Sequence, residues 1–180
     1  MPGYDKAMAS QQGDRAQPEE LAAYFALTEA VSLLQHAIEQ QLRAEGDLTY
    51  IQFQLLARLA EASGGLTMTE LADGAVYSRS GLTYQAAVLE KAGLIARAPS
   101  PDDERSTMVT ITAAGRERFD LVLPGHVEVA REMLFSPLSD GDLSQLTGIM
   151  TRVRDHMRAQ PPRSAAPRKS RRPAAAEPAA

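Results

Sequence analysis

No cysteine and no tryptophan occur in the chain, and aromatic residues make up 5% of it. Without cysteine there is no disulfide framework, no thiolate metal site and no thiol redox switch, so any sensing must use another chemistry. With so few aromatics, an aromatic cage has no basis. The histidines, His36, His126 and His156, each stand alone, without HxxxH or HExxH spacing on one helix, and neither a metal nor a cofactor is expected. The leader from Met1 to Pro18 is polar and lacks an apolar run. It indicates neither a signal peptide nor a membrane span, so a cytoplasmic chain with no membrane partner is expected. An enzyme would need a nucleophile with a base, a phosphate loop or paired carboxylates in a cleft. The acids here fall at helix starts and in one loop, where caps and dipoles explain them, and an enzyme is not expected.

What is present is a chain of 180 residues with 44% hydrophobic content and a net charge of −4, which suits one domain with loose ends. The charge is unevenly divided: residues 1–46 carry −4, 47–157 carry −5 and 158–180 carry +5. Within 77–118, six basic residues stand against five acidic ones. Attraction to phosphate in that stretch must therefore come from placement rather than from net charge.

Helical periodicity begins at Pro18-Glu-Glu-Leu21, with Leu21, Phe25, Val31, Leu34, Ile38 and Leu42 at three- and four-residue spacing, and Glu45-Gly46-Asp47 ends it. Thr49 can cap a second helix whose apolar residues Ile51, Phe53, Leu55, Leu56, Leu59 and Ala60 run almost all round, as in a central buried helix. Next, Thr67 and Glu70 form a capping box while Leu66 and Leu71 occupy the positions of a hydrophobic staple. A short helix from Met68 to about Asp73 follows, and Gly74 turns the chain. Ser78 can then cap a helix that buries Leu82, Ala86 and Leu89 and ends near Gly93. Leu94 to Ala98 and Thr107 to Thr112 are predicted strands around a charged loop, Pro99 to Ser106. From Thr112 a helix runs toward Phe135, with a kink expected at Pro124-Gly125. Ser139 can cap a last helix carrying Leu143, Leu146, Ile149 or Met150, Val153 and Met157. The remainder, Pro, Ala and Arg/Lys without large apolar side chains, is predicted to be disordered.

Tyr77-Ser-Arg-Ser-Gly-Leu-Thr83, Leu89-Glu-Lys-Ala-Gly-Leu-Ile-Ala-Arg97, Asp103-Glu-Arg105 and Thr112-Ala-Ala-Gly115 occur in this order. Together they resemble the MarR family of bacterial transcription regulators over about Leu21 to Met157. The resemblance implies a mainly α fold of about six helices with a small β-hairpin wing, a winged helix-turn-helix in an interlocked helical dimer. On that reading 1–18 is a flexible leader and 19–158 the domain, with dimerisation helices 19–45 and 113–158 around a winged helix-turn-helix at 49–112. Residues 159–180 are then a disordered basic tail. It further implies a homodimer on double-stranded DNA, and often a small aromatic or phenolic effector that weakens DNA binding. A repressor is the expected outcome of that arrangement.

Residue by residue, Ser78, Arg79, Ser80 and Thr83 match the exposed face of the family's recognition helix, Arg105 the wing arginine, and Asp103 its neighbour. Tyr84, on the same helix, joins the expected DNA contacts, although with Ala87 and Val88 it departs from the charged side chains that family members often carry there. The chemistry also stands on the residues themselves. An arginine at a helix start can bond bidentately to guanine, or touch phosphate alone. Asp103, two residues before Arg105 in a turn, can hold its guanidinium toward a narrow minor groove, or the pair can be a solvated turn. The basic residues between Arg163 and Arg172 can add phosphate contacts without reading sequence, or simply keep the chain soluble. His36, Tyr50 and Gln54 could line an effector pocket between the dimer helices and the DNA lobe, the plainer alternative being a buried, hydrogen-bonded histidine. A winged helix used for protein contacts, or by a partner-dependent co-regulator, is the alternative function.

Overall fold

In the computed structural model, residues 17–74, 79–100 and 106–159 are described, with the backbone alone at 73, 74, 79 and 80. Nearly all of the predicted leader, most of the loop after Pro99, the residue expected to cap the recognition helix (Ser78) and the basic tail beyond Ala159 lie outside the described residues. The chain divides into two compact units after Ser136.

In the first unit, α1 (Pro18–Gly46) begins with proline at a position whose N–H has no helical partner anyway. It ends at Asp47, whose left-handed backbone returns its N–H to the Arg43 carbonyl at 3.2 Å. The six apolar residues at helical spacing divide between two environments. Ile38 and Leu42 are buried and Leu34 packs against the same core, but Leu21, Val31 and Phe25 are exposed, the last by 62%. The cause is simple: α1 is long, and its core-facing residues lie in its C-terminal half, from Leu34 onward. Consequently an 18-residue window of α1 has a mean hydropathy of 1.3 with 6% of it buried, long and apolar enough by composition to cross a membrane.

Helix α2 (Tyr50–Glu61) starts with the capping box Thr49–Gln52, the Thr49 N–H donating to Gln52 Oε1 at 2.9 Å and the Gln52 N–H to Thr49 Oγ1 at 3.2 Å. As predicted, it is central: Phe53, Leu55, Leu56 and Leu59 are buried, each contributing roughly 1.5–3 kcal/mol. Strand β1 (Leu66–Thr67) leads directly into α3 (Met68–Gly74). The predicted box is formed, with Thr67 N–H on Glu70 Oε2 at 2.7 Å and Glu70 N–H on Thr67 Oγ1 at 3.2 Å. These bonds hold the Glu70 carboxyl below its ordinary range. After α4 (Arg79–Lys91) come β2 (Ile95–Pro99) and β3 (Thr107–Ile111). The expected hairpin is present with Ile95 opposite Ile111 and Pro99 opposite Thr107, but β1 adds a third antiparallel strand, Leu66 opposite Val109. Two residues are too few to show the alternation by which a strand is recognised in sequence. Leu82, Ala86 and Leu89 of α4 are buried as predicted, with Val109, Phe119 and Val122 in the same core.

Helix α5 (Ala113–Ala130) stays helical through Pro124 and passes into π turns at Arg131–Phe135, where the Ser136 N–H reaches back to the Arg131 carbonyl at 2.8 Å. The departure from α geometry thus comes after the proline, at a wider turn of the kind that marks an inserted residue. Gln41 of α1 donates to the Val122 carbonyl at 3.0 Å and to Glu45 at 2.8 Å. One turn on, the His126 ring lies 4.3 Å from Phe53, which stacks at 5.5 Å on Phe119. His126 Nδ1 is buried without a hydrogen-bond partner among the described residues. Burial pushes its imidazole below the ordinary 6.5. The folded chain therefore refuses a proton that the unfolded chain accepts, so His126 lowers stability as pH falls below about 6.5 and has no such effect above it. Urea midpoints at pH 7.5 and 5.5 should show this loss, and His126→Leu should shrink it; an unchanged loss would assign it elsewhere.

In the second unit, α6 (Asp140–Ala159) is capped as predicted, Ser139 Oγ donating to Asp142 Oδ2 at 2.6 Å. The Ser139 contacts hold the Asp142 carboxyl low. Leu143, Ile149, Val153 and Met157 of the predicted apolar side are exposed.

Candidate nucleic-acid interface

The inner face of α4 is anchored by Leu82, Ala86 and Leu89, which leaves Gly81, Thr83, Tyr84 and Ala87 exposed on the outer face. The segregation follows from the 3.6-residue period. Tyr84 is the most prominent of these, 66% exposed. Arg79 is the first residue of the helix. Its side chain and that of Ser80 are outside the described residues, as are Ser78, Asp103 and Arg105, so Thr83 and Tyr84 are the predicted DNA-contact residues whose exposure the structure places.

Three attachments set the pose of α4. At its C-terminus Gly93 takes positive φ (74°), its N–H bonding Glu90 O and the Leu94 N–H bonding Leu89 O, each at 2.9 Å. This is a Schellman closure, in which buried Leu94 packs back toward Leu89. The same turn is locked to α5, since Thr112 Oγ1 donates to the Gly93 carbonyl at 2.7 Å and accepts the Gly115 N–H at 3.0 Å. The Thr112-Ala-Ala-Gly115 motif thus clamps the end of the recognition helix to the start of α5. On the middle of α4, Gln85 Oε1 accepts from Gln52 Nε2 at 3.1 Å, and Gln52 is buried in α2. Toward the wing, Arg97 of β2 donates through Nε to Glu90 at 2.8 Å, with Nη2 on the same oxygen. This pairing holds the Glu90 carboxyl below its usual range and raises Arg97 further. Glu90 therefore presents a compensated charge beside the exposed face of α4.

The basic residues divide in the same way. Of the six in 77–118, Arg97 is engaged by Glu90, while Arg116 donates to the Ala60 carbonyl and Arg118 to the Gly46 carbonyl, each at 2.6 Å, closing the ends of α2 and α1. Arg58 likewise donates to the Glu70 carbonyl of α3 at 3.2 Å. These structural arginines were not distinguishable in the sequence, because their partners are carbonyls far along the chain. Gln52 had a signal, the Thr-x-x-Gln capping spacing, but not its second bond. Arg79, Lys91 and Arg105 are the other three basic residues of the stretch.

The expected effector residues lie on α1 and α2. His36 is exposed on α1, not the buried, hydrogen-bonded histidine of the plainer alternative; His126 is half-buried, with its Nδ1 unpartnered among the described residues. Tyr50 is half-buried, its N–H donating to Glu39 of α1 at 2.7 Å, and Gln54 is half-buried on α2. Among the described residues no hydrogen bond joins His36, Tyr50 and Gln54. A cavity of about 100 Å³ is lined by Met68, Thr69, Ala72, Leu82 and Thr83, between α3 and α4. It includes none of the three and is small for a drug-sized ligand.

A profile of the MarR family matches residues 46–106, from the end of α1 to the start of β3. Sco3205, a MarR family transcriptional regulator of Streptomyces coelicolor solved in complex with DNA, is 32% identical with a TM-score of 0.76, over 82% of this chain and 95% of that one. The HTH-type transcriptional regulator PecS of Dickeya dadantii is 29% identical over 129 residues, 71% of this chain and 77% of PecS. The transcriptional activatory protein BadR of Rhodopseudomonas palustris is 25% identical over 137 residues, 75% of this chain and 78% of BadR. With the helix-turn-helix, the three-stranded wing sheet and the flanking helices arranged as in Sco3205 over nearly all of its length, the chain belongs to the MarR family of transcriptional regulators.

Proposed function

We propose that the chain is a homodimeric repressor that binds a pseudo-palindromic operator through α4 and the wing and is released by a small aromatic or phenolic effector. The observation that carries the DNA reading is the outer face of α4, exposed and held in a fixed pose from α2, β2 and α5. Dimer formation is supported by the apolar side chains of α1 that its own chain leaves uncovered, Leu21, Phe25 and Val31 among them, which a second copy would bury. The same covering accounts for the hydropathy of α1 without a membrane. Arg79, at the start of α4, is the proposed base-reading residue, with Ser78, Ser80, Thr83 and Tyr84 beside it and Asp103 positioning Arg105 in the wing. The effector reading rests on the family alone, with His36, Tyr50 and Gln54 as its residues.

The exposed Tyr84 and the sparse basic charge also favour a second reading, a winged helix that docks on protein. Recovery and sequencing of genomic fragments bound by the purified chain separates the two. A two-fold symmetric motif with half-sites about 34–36 Å apart is expected. Arg79→Ala should lose selectivity at one base position by about 1–3 kcal/mol. Equal loss on specific and random DNA would remove Arg79 from base reading, and no enrichment even at low salt would favour the protein contact.

A further inference from the structure

From the residues it exposes and those it ties down, we infer that α4 reads thymine methyl groups in the major groove, with Tyr84 and Ala87 as the specificity-determining contacts. This rests on the DNA-binding reading above. The helix has thirteen residues, and its charged side chains are confined to the two ends, Arg79 at the start and Glu90-Lys91 at the finish. Between them the outward positions are Gly81, Thr83, Tyr84 and Ala87. Recognition of guanine uses Arg or Lys, that of cytosine Asp or Glu, and that of adenine an amide from Asn or Gln; thymine is read by apolar contact with its methyl. The stretch from residue 80 to 89 contains no Arg, Lys, Asp, Glu or Asn. Its one amide, Gln85, is half-buried with its oxygen taken by Gln52, so it cannot offer the two-point contact adenine needs. Glu90, the acid of this helix, is held by Arg97, so no bare carboxylate repels the backbone of a duplex lying along this face. Tyr84 and Ala87 are one helical turn apart and point the same way, which places an aromatic ring and a methyl over neighbouring base pairs. The Thr83 and Tyr84 hydroxyls can bond more than one base, so the selective contact this face offers is apolar, and thymine is the base that presents an apolar group there.

The test starts from duplexes selected on the full-length protein out of a random-sequence library, followed by replacement of single thymines with deoxyuridine, which removes the 5-methyl and keeps the pairing. At one or more thymines in each half-site, the wild-type protein should lose roughly fourfold in affinity, the worth of one buried methyl. Tyr84→Ala should cut that penalty to below about twofold at the position under residue 84; the side chain is exposed, and circular dichroism checks that the fold is kept. Deoxyuridine tolerated everywhere in a selected duplex would overturn the inference and leave the DNA-binding reading intact. The same penalty in Tyr84→Ala would overturn the role of Tyr84. No selected duplex at all would overturn the DNA-binding reading, and this inference with it.

Discussion

Gly115→Ala should destabilise the protein by about 3 kcal/mol, although the substitution is favourable by helix propensity. In an exposed helix interior, alanine is better than glycine by roughly 1 kcal/mol, because it loses less backbone freedom on folding. Gly115 is buried, however, and a β-carbon there would overlap the Leu94 carbonyl oxygen and stand 2.9 Å from Ile111 Cγ1. The Leu94 oxygen is also the acceptor for the Thr112 N–H at 3.1 Å, so it cannot retreat without breaking the bond that starts α5. Overpacking of a core costs about 1–3 kcal/mol when side chains can move, and here the obstacle is backbone. The clash outweighs the propensity gain, and a fall in Tm of about 6–12 °C is expected for a chain of this size. Because Leu94 follows the closing turn of α4, binding to a selected duplex should weaken at temperatures where the variant is still folded. A variant as stable as wild type, or one that binds normally below its melting range, would show that α4 does not depend on this contact.

Where the chain's own short-range chemistry decides the structure, the sequence was readable. The capping box at Thr67–Glu70 and the caps at Thr49 and Ser139 each need residues three apart, and all three are formed. The buried side of α4 and the central place of α2 followed from periodicity. What was not readable depends on partners distant in sequence or on another molecule. The stripe on α1 was correctly apolar, but period alone cannot say whether a stripe is covered by its own chain, and most of this one is not. Arg116 and Arg118 looked like available positive charge until the carbonyls of Ala60 and Gly46 were found against them. The Thr-x-x-Gly motif could be matched to a family, while its physical reason, a hydroxyl on Gly93 and an absent side chain against Leu94, required the fold. For the DNA-contact residues the resemblance supplied roles and the structure supplied the pose of α4.

A contact between α2 and α5 carries the second large effect. Phe53→Ala should cost about 3–5 kcal/mol, the usual range for deleting a buried aromatic ring, since Phe53, in the first turn of α2, is 5% exposed. The ring does two things at once: it stacks on Phe119 and covers His126, both from α5. Its removal opens the space beside an imidazole whose proton affinity burial lowers, so water should enter and the His126 pKa should climb toward its ordinary value. Stability should then fall overall while its loss between pH 7.5 and 5.5 becomes smaller than in wild type, because the folded variant now accepts the proton too. Phe53→Leu keeps most of the volume and the dryness; it should cost less than about 1.5 kcal/mol and keep the wild-type pH dependence. Urea unfolding of the three proteins at the two pH values, with the His126 titration followed by NMR, reads both effects. If Phe53→Ala lowers stability but leaves the pH dependence and the His126 titration as in wild type, then the ring supports the core without keeping the histidine dry.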